Sequence, residues 1–388
     1  MKKIAVIFGT RPDTIKLAPV ILELQKSSKQ FKVLTIATAQ HRQMLDQVLS
    51  VFHITPDYDL NIMQAKQSLA SIVHNTIKAL DAILEQERPD LVLVQGDTTT
   101  TFVGSLAAFY RKIPVGHVEA GLRTYDKFNP FPEEINRRLT GTLTDLHFAP
   151  TQTSKRALLK ENIHPKSIFV TGNTVIDALK MTVTRRHTFS LPVLTTILAQ
   201  KKRIILVTLH RRENWGEPMK SACRAIRAIS EQHQDINIIF PVHLNPIVQE
   251  VVHATLGNLD NVYLVAPLEY PDFVNVIARS FLIITDSGGV QEEGPHFGIP
   301  ILVIRKVTER PEAVEYGTVK LVGTGEKKLL SAAERLITNT HEYRKMASAI
   351  NPYGDGLSSK RIVQIIKYSL GISRTKIKEF VPGKKRKQ

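Results

Sequence analysis

The sequence predicts an α/β protein of two domains, each a parallel sheet covered by helices on both faces. Three observations predict it. Short, nearly continuous apolar runs alternate with amphipathic segments of helix length, and unbroken runs suit strands buried on both faces of a parallel sheet. The alternation stops and restarts once, around residues 181–202. The length, 388 residues, exceeds what one ordinary hydrophobic core organises and suits two.

In the first half, KIAVIF (3–8) reads as a strand, followed by a helix through Ala18–Gln25. KVLTIAT (32–38) is the next strand, then helices near 42–50 and 67–86 and a buried strand DLVLVQG (90–96). Helix 100–110, strand PVGHVEA (114–120), helix 133–143 and strand LHFAP (146–150) complete the half. After a less regular bridge, RIILVTLH (203–210) opens the second half, with a helix through 217–232. NIIFPVH (237–243), NVYLVAP (261–267), FLIITDSGG (281–289) and PILVIR (300–305) repeat the strand theme, and a final helix starts near Ser358. The expected domains are 1–170, joined by a C-terminal helix at 366–380, and 175–360, with a basic flexible tail at 381–388. Two doubly wound domains hold their ligand in the central cleft they face, beyond the strand C-termini.

Composition narrows the class. The apolar fraction of 43% is that of a globular chain. A single cysteine, Cys223, rules out a disulfide framework and a cysteine metal cluster and fits a reducing compartment. The opening MKKIAVIFGTRPD has too short an apolar run and no small-residue cleavage pattern for a signal peptide. No apolar stretch approaches the ~18–20 residues of a membrane span, so a cytoplasmic location is expected. The net charge is +16, of which seven basic residues and one acidic residue in 371–388 supply +6. A basic tail can bind nucleic acid, but GKKRKQ reads more simply as a solvated end, without a zinc-finger pattern or an RNP-like aromatic run. The remaining charge suits anionic small-molecule substrates.

The loops after the strands carry the chemistry. GTRPD follows the first strand, where its amides could cradle a phosphate, with Arg11 and Lys16 adding charge. It is neither G-x-G-x-x-G nor a Walker pattern, so neither NAD nor ATP binding is supported. QGDTTT places Asp97 directly after a buried strand. Asp97 or Thr98 could simply cap the next helix. The functional reading is favoured because Asp97 and Glu119 follow comparable strands and would reach one crevice. Glu133 and Glu134 follow Pro132 as a helix start would, which accounts for at least one of them without chemistry. HRREN brings His210, Arg211, Arg212 and Glu213 to a strand end, more charge than a turn needs. No convincing three-ligand metal spacing occurs. In DSGGVQEEG, Ser287, Gly288 and Gly289 open a helix whose amides can hold a phosphate, and Glu292 or Glu293 could bind the vicinal hydroxyls of a ribose. TERPE offers Arg310 nearby. Together these suggest a nucleotide-sugar site.

GTRPDTIKLAP, TAQHRQMLDQVL, GDTTT, GHVEAGLRT, PEEINRRLT, HFAPT, TGNTVIDAL, HRREN, PVHLNP, DSGGVQEE, TERPEA and NPYGDG together resemble the non-hydrolysing UDP-N-acetylglucosamine 2-epimerases. The resemblance runs from about residue 3 to 365. It implies a glycosyltransferase-B-like fold of two Rossmann-like domains. It also implies interconversion of UDP-N-acetylglucosamine and UDP-N-acetylmannosamine for bacterial surface polysaccharides, no NAD or catalytic metal, and a homodimer. Matching positions imply Asp97, Glu119, Glu133 and His210 as the catalytic group. They imply Ser287, Gly288 and Gly289 at the phosphates, Glu293 at the ribose, and Arg310, Arg11 and Lys16 near the nucleotide. Gln40, Gln43, Lys66, Arg211 and His243 match the family's regulatory site for a second UDP-N-acetylglucosamine. The chain departs from the family pattern at R-P-D-T, at P-F-P-E-E and at TLHRR, where Leu209 replaces a Gly before His210.

The C2 proton of the sugar is not next to a carbonyl, so the implied reaction is elimination of UDP to 2-acetamidoglucal followed by re-addition. Trapping that intermediate calls for closure, with a hinge expected near 170–175 and 360–365. A hydrolysing relative that releases UDP and N-acetylmannosamine, and a non-catalytic nucleotide-sugar sensor, are the alternatives. The galacto pair of substrates is left open.

Overall fold

The computed structural model describes residues 1–38, 42–63, 67–375 and 377–383, with backbone alone at 42–44. The described chain forms two compact units, Met1–Met181 with Tyr353–Val381, and Thr182–Pro352 with Pro382 and Gly383.

The first unit is built on a parallel sheet of β1 (Lys2–Phe8), β2 (Phe31–Ala37), β3 (Tyr58–Asp59), β4 (Leu91–Gln95), β5 (Val115–Val118), β6 (Leu146–Ala149) and β7 (Ile168–Val170). Their spatial order is β3-β2-β1-β4-β5-β6-β7. The second is built on β8 (Arg203–Thr208), β9 (Ile236–Pro241), β10 (Val262–Val265), β11 (Leu282–Thr285), β12 (Ile301–Val303) and β13 (Val319–Leu321), in the order β10-β9-β8-β11-β12-β13. Every pairing is parallel, as in β1–β4, where Ile4, Ala5 and Val6 face Leu91, Val92 and Leu93. Both faces of these strands are covered, which is why LVLV in β4 and IILV in β8 are buried throughout.

The same doubly wound order in both sheets creates a switch point in each, where the chain leaves adjacent strands in opposite directions. In the first unit it lies between β1 and β4, so the loops at Gly9–Asp13 and Gly96–Thr98 flank it. In the second it lies between β8 and β11, flanked by His210 and Asp286. The strands missed in the sequence, β3, β7 and β13, are two- or three-residue edge strands, too short to register as apolar runs.

The boundaries differ from the expected 170–175 and 360. The helix Thr174–Thr182 stays with the first unit up to Met181, where its Asp177 carboxylate accepts the amides of Ser358 and Ser359, at 3.1 and 2.8 Å. That cap also starts the last helix at Ser358, and it ends at Ser369 just before Gly371 at φ 70°, so no helix occupies 366–380 as a whole. Beyond it the chain lies along β7: the Phe380 amide donates to the Val170 carbonyl at 2.7 Å and Lys155 pairs with Glu379 at 2.8 Å. No helix among the described residues is long and apolar enough to cross a membrane.

Candidate active site

In the first unit, Asp97 and Glu119 share one electrostatic environment at the C-terminal edge of the sheet. Thr98 caps the helix Thr99–Tyr110 by accepting from the Thr101 amide, which frees the Asp97 carboxylate from capping. The helix Glu133–Leu143 holds Asp97 instead: Arg137 Nη2 donates to Oδ2 at 2.5 Å and Asn136 Nδ2 to the Asp97 carbonyl at 3.1 Å. The Asp97 side chain keeps 28% exposure. Desolvation raises its pKa, Arg137 opposes that rise, and the Glu119 charge adds to it.

Glu119 follows β5 with φ +66°, a backbone conformation that a glutamate adopts at a cost. Its carboxylate is almost enclosed and accepts from Lys16 Nζ at 2.5 Å, from Asn173 Nδ2 at 2.8 Å and from Gln95 Nε2. Gly96 turns between the two acids at φ +71°, and a Cβ there would stand 3.6 Å from the Glu119 carboxylate. His117 Nε2 bonds to the Gly96 carbonyl at 2.7 Å and braces that turn.

The Glu133–Glu134 pair divides. Glu134 is fully buried and accepts the amides of Thr124 and Tyr125 at 3.0 and 3.1 Å, with Arg137 Nη1 at 3.3 Å. It is an anchor for the 124–132 loop. Glu133 begins the same helix at its positive end and remains partly exposed.

The GTRPD loop does not offer the amide cradle its glycine suggested. Asp13 is buried and its carboxylate takes the amides of Gly9, Thr10 and Thr14 at 3.0, 2.7 and 3.0 Å. Arg11 is the first residue of the helix Arg11–Gln25, and Lys16, one turn on, is committed to Glu119.

In the second unit the buried Asp286 organises the HRREN turn. It accepts the amides of His210 (3.1 Å) and Arg211 (3.0 Å) and the Asn214 side chain (3.0 Å). His210 Nε2 lies 3.8 Å from Asp286 and its ring stacks on His243 at 6.4 Å. Desolvation lowers the His210 pKa; Asp286 opposes this, and Arg211 and His243 add to it. Leu209 is buried in the core with Ile226 and Val242.

Ser287, Gly288 and Gly289 lead into a helix of only four residues, Val290–Glu293, continued by a tighter turn to Phe297. The Ser287 amide is committed to Thr285 Oγ1 at 2.9 Å. Gly288 lies against a mixed set of charges: a Cβ there would be 3.5 Å from Arg211 Nη2, 3.6 Å from a Glu309 carboxylate oxygen and 4.0 Å from Arg310 Cζ. Arg310 Nε is held by the buried Glu292, so Glu292 is a positioning partner of the arginine. Glu309 lies 3.6 Å from both Arg211 and Arg310. Glu293 follows on the same turn and is almost buried.

Residues near 40 and 66 complete the expected regulatory set, but Gln40, the Gln43 side chain and Lys66 lie outside the described residues. Sequence reading missed Gln95, Arg137, Asn173 and Asp286. Arg137 alone had a visible signal, since it lies one helical turn after Glu133 and Glu134 on the same helix.

Fold and site together define a class: two parallel-sheet α/β domains of the glycosyltransferase-B-like kind, with acids at the switch point of the first and a glycine–arginine–glutamate cluster at that of the second. The family model described as UDP-N-acetylglucosamine 2-epimerase matches residues 23–367, and the chain belongs to that family. It is 54% identical to the UDP-N-acetylglucosamine 2-epimerase of Bacillus subtilis (strain 168) over 382 residues, covering 98% of this chain and 99% of that protein. A solved UDP-GlcNAc 2-epimerase from Neisseria meningitidis bound to UDP-GlcNAc is 48% identical, with a TM-score of 0.86, covering 94% of this chain and 100% of that one. A co-structure of S. aureus MnaA with UDP is 49% identical, with a TM-score of 0.89, over 98% of this chain and 100% of that one.

Proposed function

We propose that this UDP-N-acetylglucosamine 2-epimerase is the reversible, non-hydrolysing form, interconverting UDP-N-acetylglucosamine and UDP-N-acetylmannosamine in the cytoplasm. The observation that carries the reading is the pairing of Asp97 and Glu119, two acids in mutual electrostatic contact but with different partners. One carboxylate takes the C2 proton while the C1–O bond breaks and its electron pair leaves with the diphosphate of UDP. A C1–C2 double bond forms, giving 2-acetamidoglucal. The diphosphate oxygen then re-attacks C1 as a proton arrives on the opposite face of C2. Two faces need two proton-transferring groups, and burial, which raises the Asp97 pKa against the pull of Arg137, sets Asp97 apart from Glu119 for that division of labour. Glu133 assists.

In the second unit, His210, Arg211, Arg310 and the amides of Gly288 and Gly289 stabilise the departing diphosphate, and Glu293 holds the ribose. With Ser287 N–H engaged, the serine contributes its hydroxyl. Arg211 against Gly288 fits a phosphate role, and His243 beside His210 fits a second substrate molecule there as regulator. The chemistry calls for no nicotinamide or metal. The product feeds surface polysaccharide, and the working form is a homodimer.

The test is incubation with UDP-N-acetylglucosamine in D₂O, followed by NMR. Deuterium at C2 with UDP-N-acetylmannosamine is expected. UDP with free N-acetylmannosamine would assign the hydrolysing branch. Ligand binding without exchange or turnover would leave a sensor.

A further inference from the structure

Unit two carries a cavity of about 610 Å³ on the far side of β12 from β11, lined by Arg305, Lys306, Lys320, Lys327, Lys328 and Ser331 among others. Five of these six are cations. Lys306 and Lys320 lie just after β12 and on β13, and Lys327 and Lys328 in the first turn of the helix Glu326–Thr338. Folding therefore gathers onto one concavity charges that the sequence spreads over 24 positions, from 305 to 328. The four lysines are exposed, and none has a carboxylate within ion-pair distance among the described residues. Glu326, the acid at this rim, is taken by Arg224 at 2.6 Å.

Arg305 adds an independent observation. It is only 5% exposed, lines the inner wall, and is ion-paired with Glu213 at 2.9 Å and Glu309 at 3.5 Å, yet its Nη1 has no hydrogen-bond partner. The helix Glu326–Thr338 begins at Gly325 with no side-chain cap, so its first amides add to the positive potential. Like charges held around a concavity repel, and an anion that spans them relieves that repulsion.

We propose that this cavity is a second anion site, next to the nucleotide side of the unit and linked to it through the Arg305–Glu309 pair, for a small soluble compound carrying two or more phosphoryl groups. The size falls in the range of small-molecule pockets. Several separated cations favour several linked anionic groups over a single one. No aromatic ring lines the cavity, so no base-stacking platform for nucleic acid exists there.

The experiment titrates tripolyphosphate into the full-length protein by calorimetry, with UDP saturating so that the nucleotide side is occupied. Saturable binding of one probe per chain is expected. K320E/K328E should weaken it at least about tenfold, the scale of losing charge-assisted hydrogen bonds, with UDP affinity and the unfolding temperature unchanged. If charge reversal lowers the unfolding temperature, K320Q/K328Q replaces it with the same expectation at smaller size. Unchanged binding in the variant, binding abolished by UDP, or several weakly held ions per chain that are lost at about 0.15 M salt, where the Debye length is about 8 Å, would each overturn the proposal.

Discussion

Lys16 Nζ stands 2.5 Å from a Glu119 carboxylate oxygen, so the helix after β1 neutralises the acid that ends β5. The two side chains are 15% and 4% exposed, which makes each the other's chief compensation. Removing one partner of a buried pair leaves an uncompensated charge, typically costing 3–5 kcal/mol. Lys16→Met is therefore expected to lower stability by about 3 kcal/mol in urea denaturation. Glu119→Gln, which keeps amide and carbonyl hydrogen bonding, should cost less stability but lower turnover by about 10²–10⁴. Turnover within threefold of the parent would remove Glu119 from the proton relay.

Asp97 and Arg137 make a separable pair. Burial raises the Asp97 pKa and Arg137 holds it down, so Arg137→Met should move the Asp97 limb of the pH–rate profile to higher pH. Asp97→Asn should abolish that limb and lower turnover by about 10²–10⁴, while UDP affinity stays within about threefold. A limb that persists in Asp97→Asn belongs to another group.

Adjacent glutamates should behave differently. Glu134→Ala strips three donors of their acceptor, the Thr124 and Tyr125 amides and Arg137, and should cost about 3 kcal/mol with loss of order in the 124–132 loop. Glu133→Gln is expected to lower turnover with a far smaller change in stability. Equal destabilisation by the two would mean that both are anchors. Thermal unfolding beside steady-state kinetics distinguishes the cases.

Asp286→Ala should release the HRREN turn. It leaves the His210 and Arg211 amides and the Asn214 side chain without their acceptor, a cost of about 3 kcal/mol. UDP affinity should fall with it, since Arg211 loses its fixed place beside Gly288. Unchanged affinity measured by calorimetry would place UDP elsewhere.

His117 and His147 face each other on β5 and β6, and burial drives their pKa values down to about 4 and about 3 from an ordinary 6.5. The unfolded chain binds these protons below about pH 6.5 and the folded chain does not. Their contribution is thus fully present above pH 6.5 and is lost as pH falls toward about 4 for His117 and about 3 for His147. Each group loses about 1.4 kcal/mol per pH unit inside its window. His147→Leu should flatten the dependence of the urea midpoint between pH 7.5 and 5.5. An equal slope in parent and variant would mean that His147 takes up its proton as readily in the folded chain as in the unfolded one.

The sequence by itself determined the parallel α/β architecture and the positions of the motif loops, because strand burial is written as local apolar runs. It also carried the family through motifs such as GHVEAGLRT and DSGGVQEE. Its misses, the edge strands β3, β7 and β13 and the bounds of the last helix, are elements made by pairing or capping from elsewhere in the chain. Only the tertiary structure decided which acids are anchors and which keep an exposed edge. Glu134, Asp13, Glu292 and Asp286 are consumed by donors that folding brings to them, while Asp97 keeps an exposed edge. Lys16 reaches Glu119 across 103 residues of chain, and Arg137 reaches Asp97 across 40. A carboxylate's protonation state depends on burial and on such partners, and neither exists until the strands have been laid side by side.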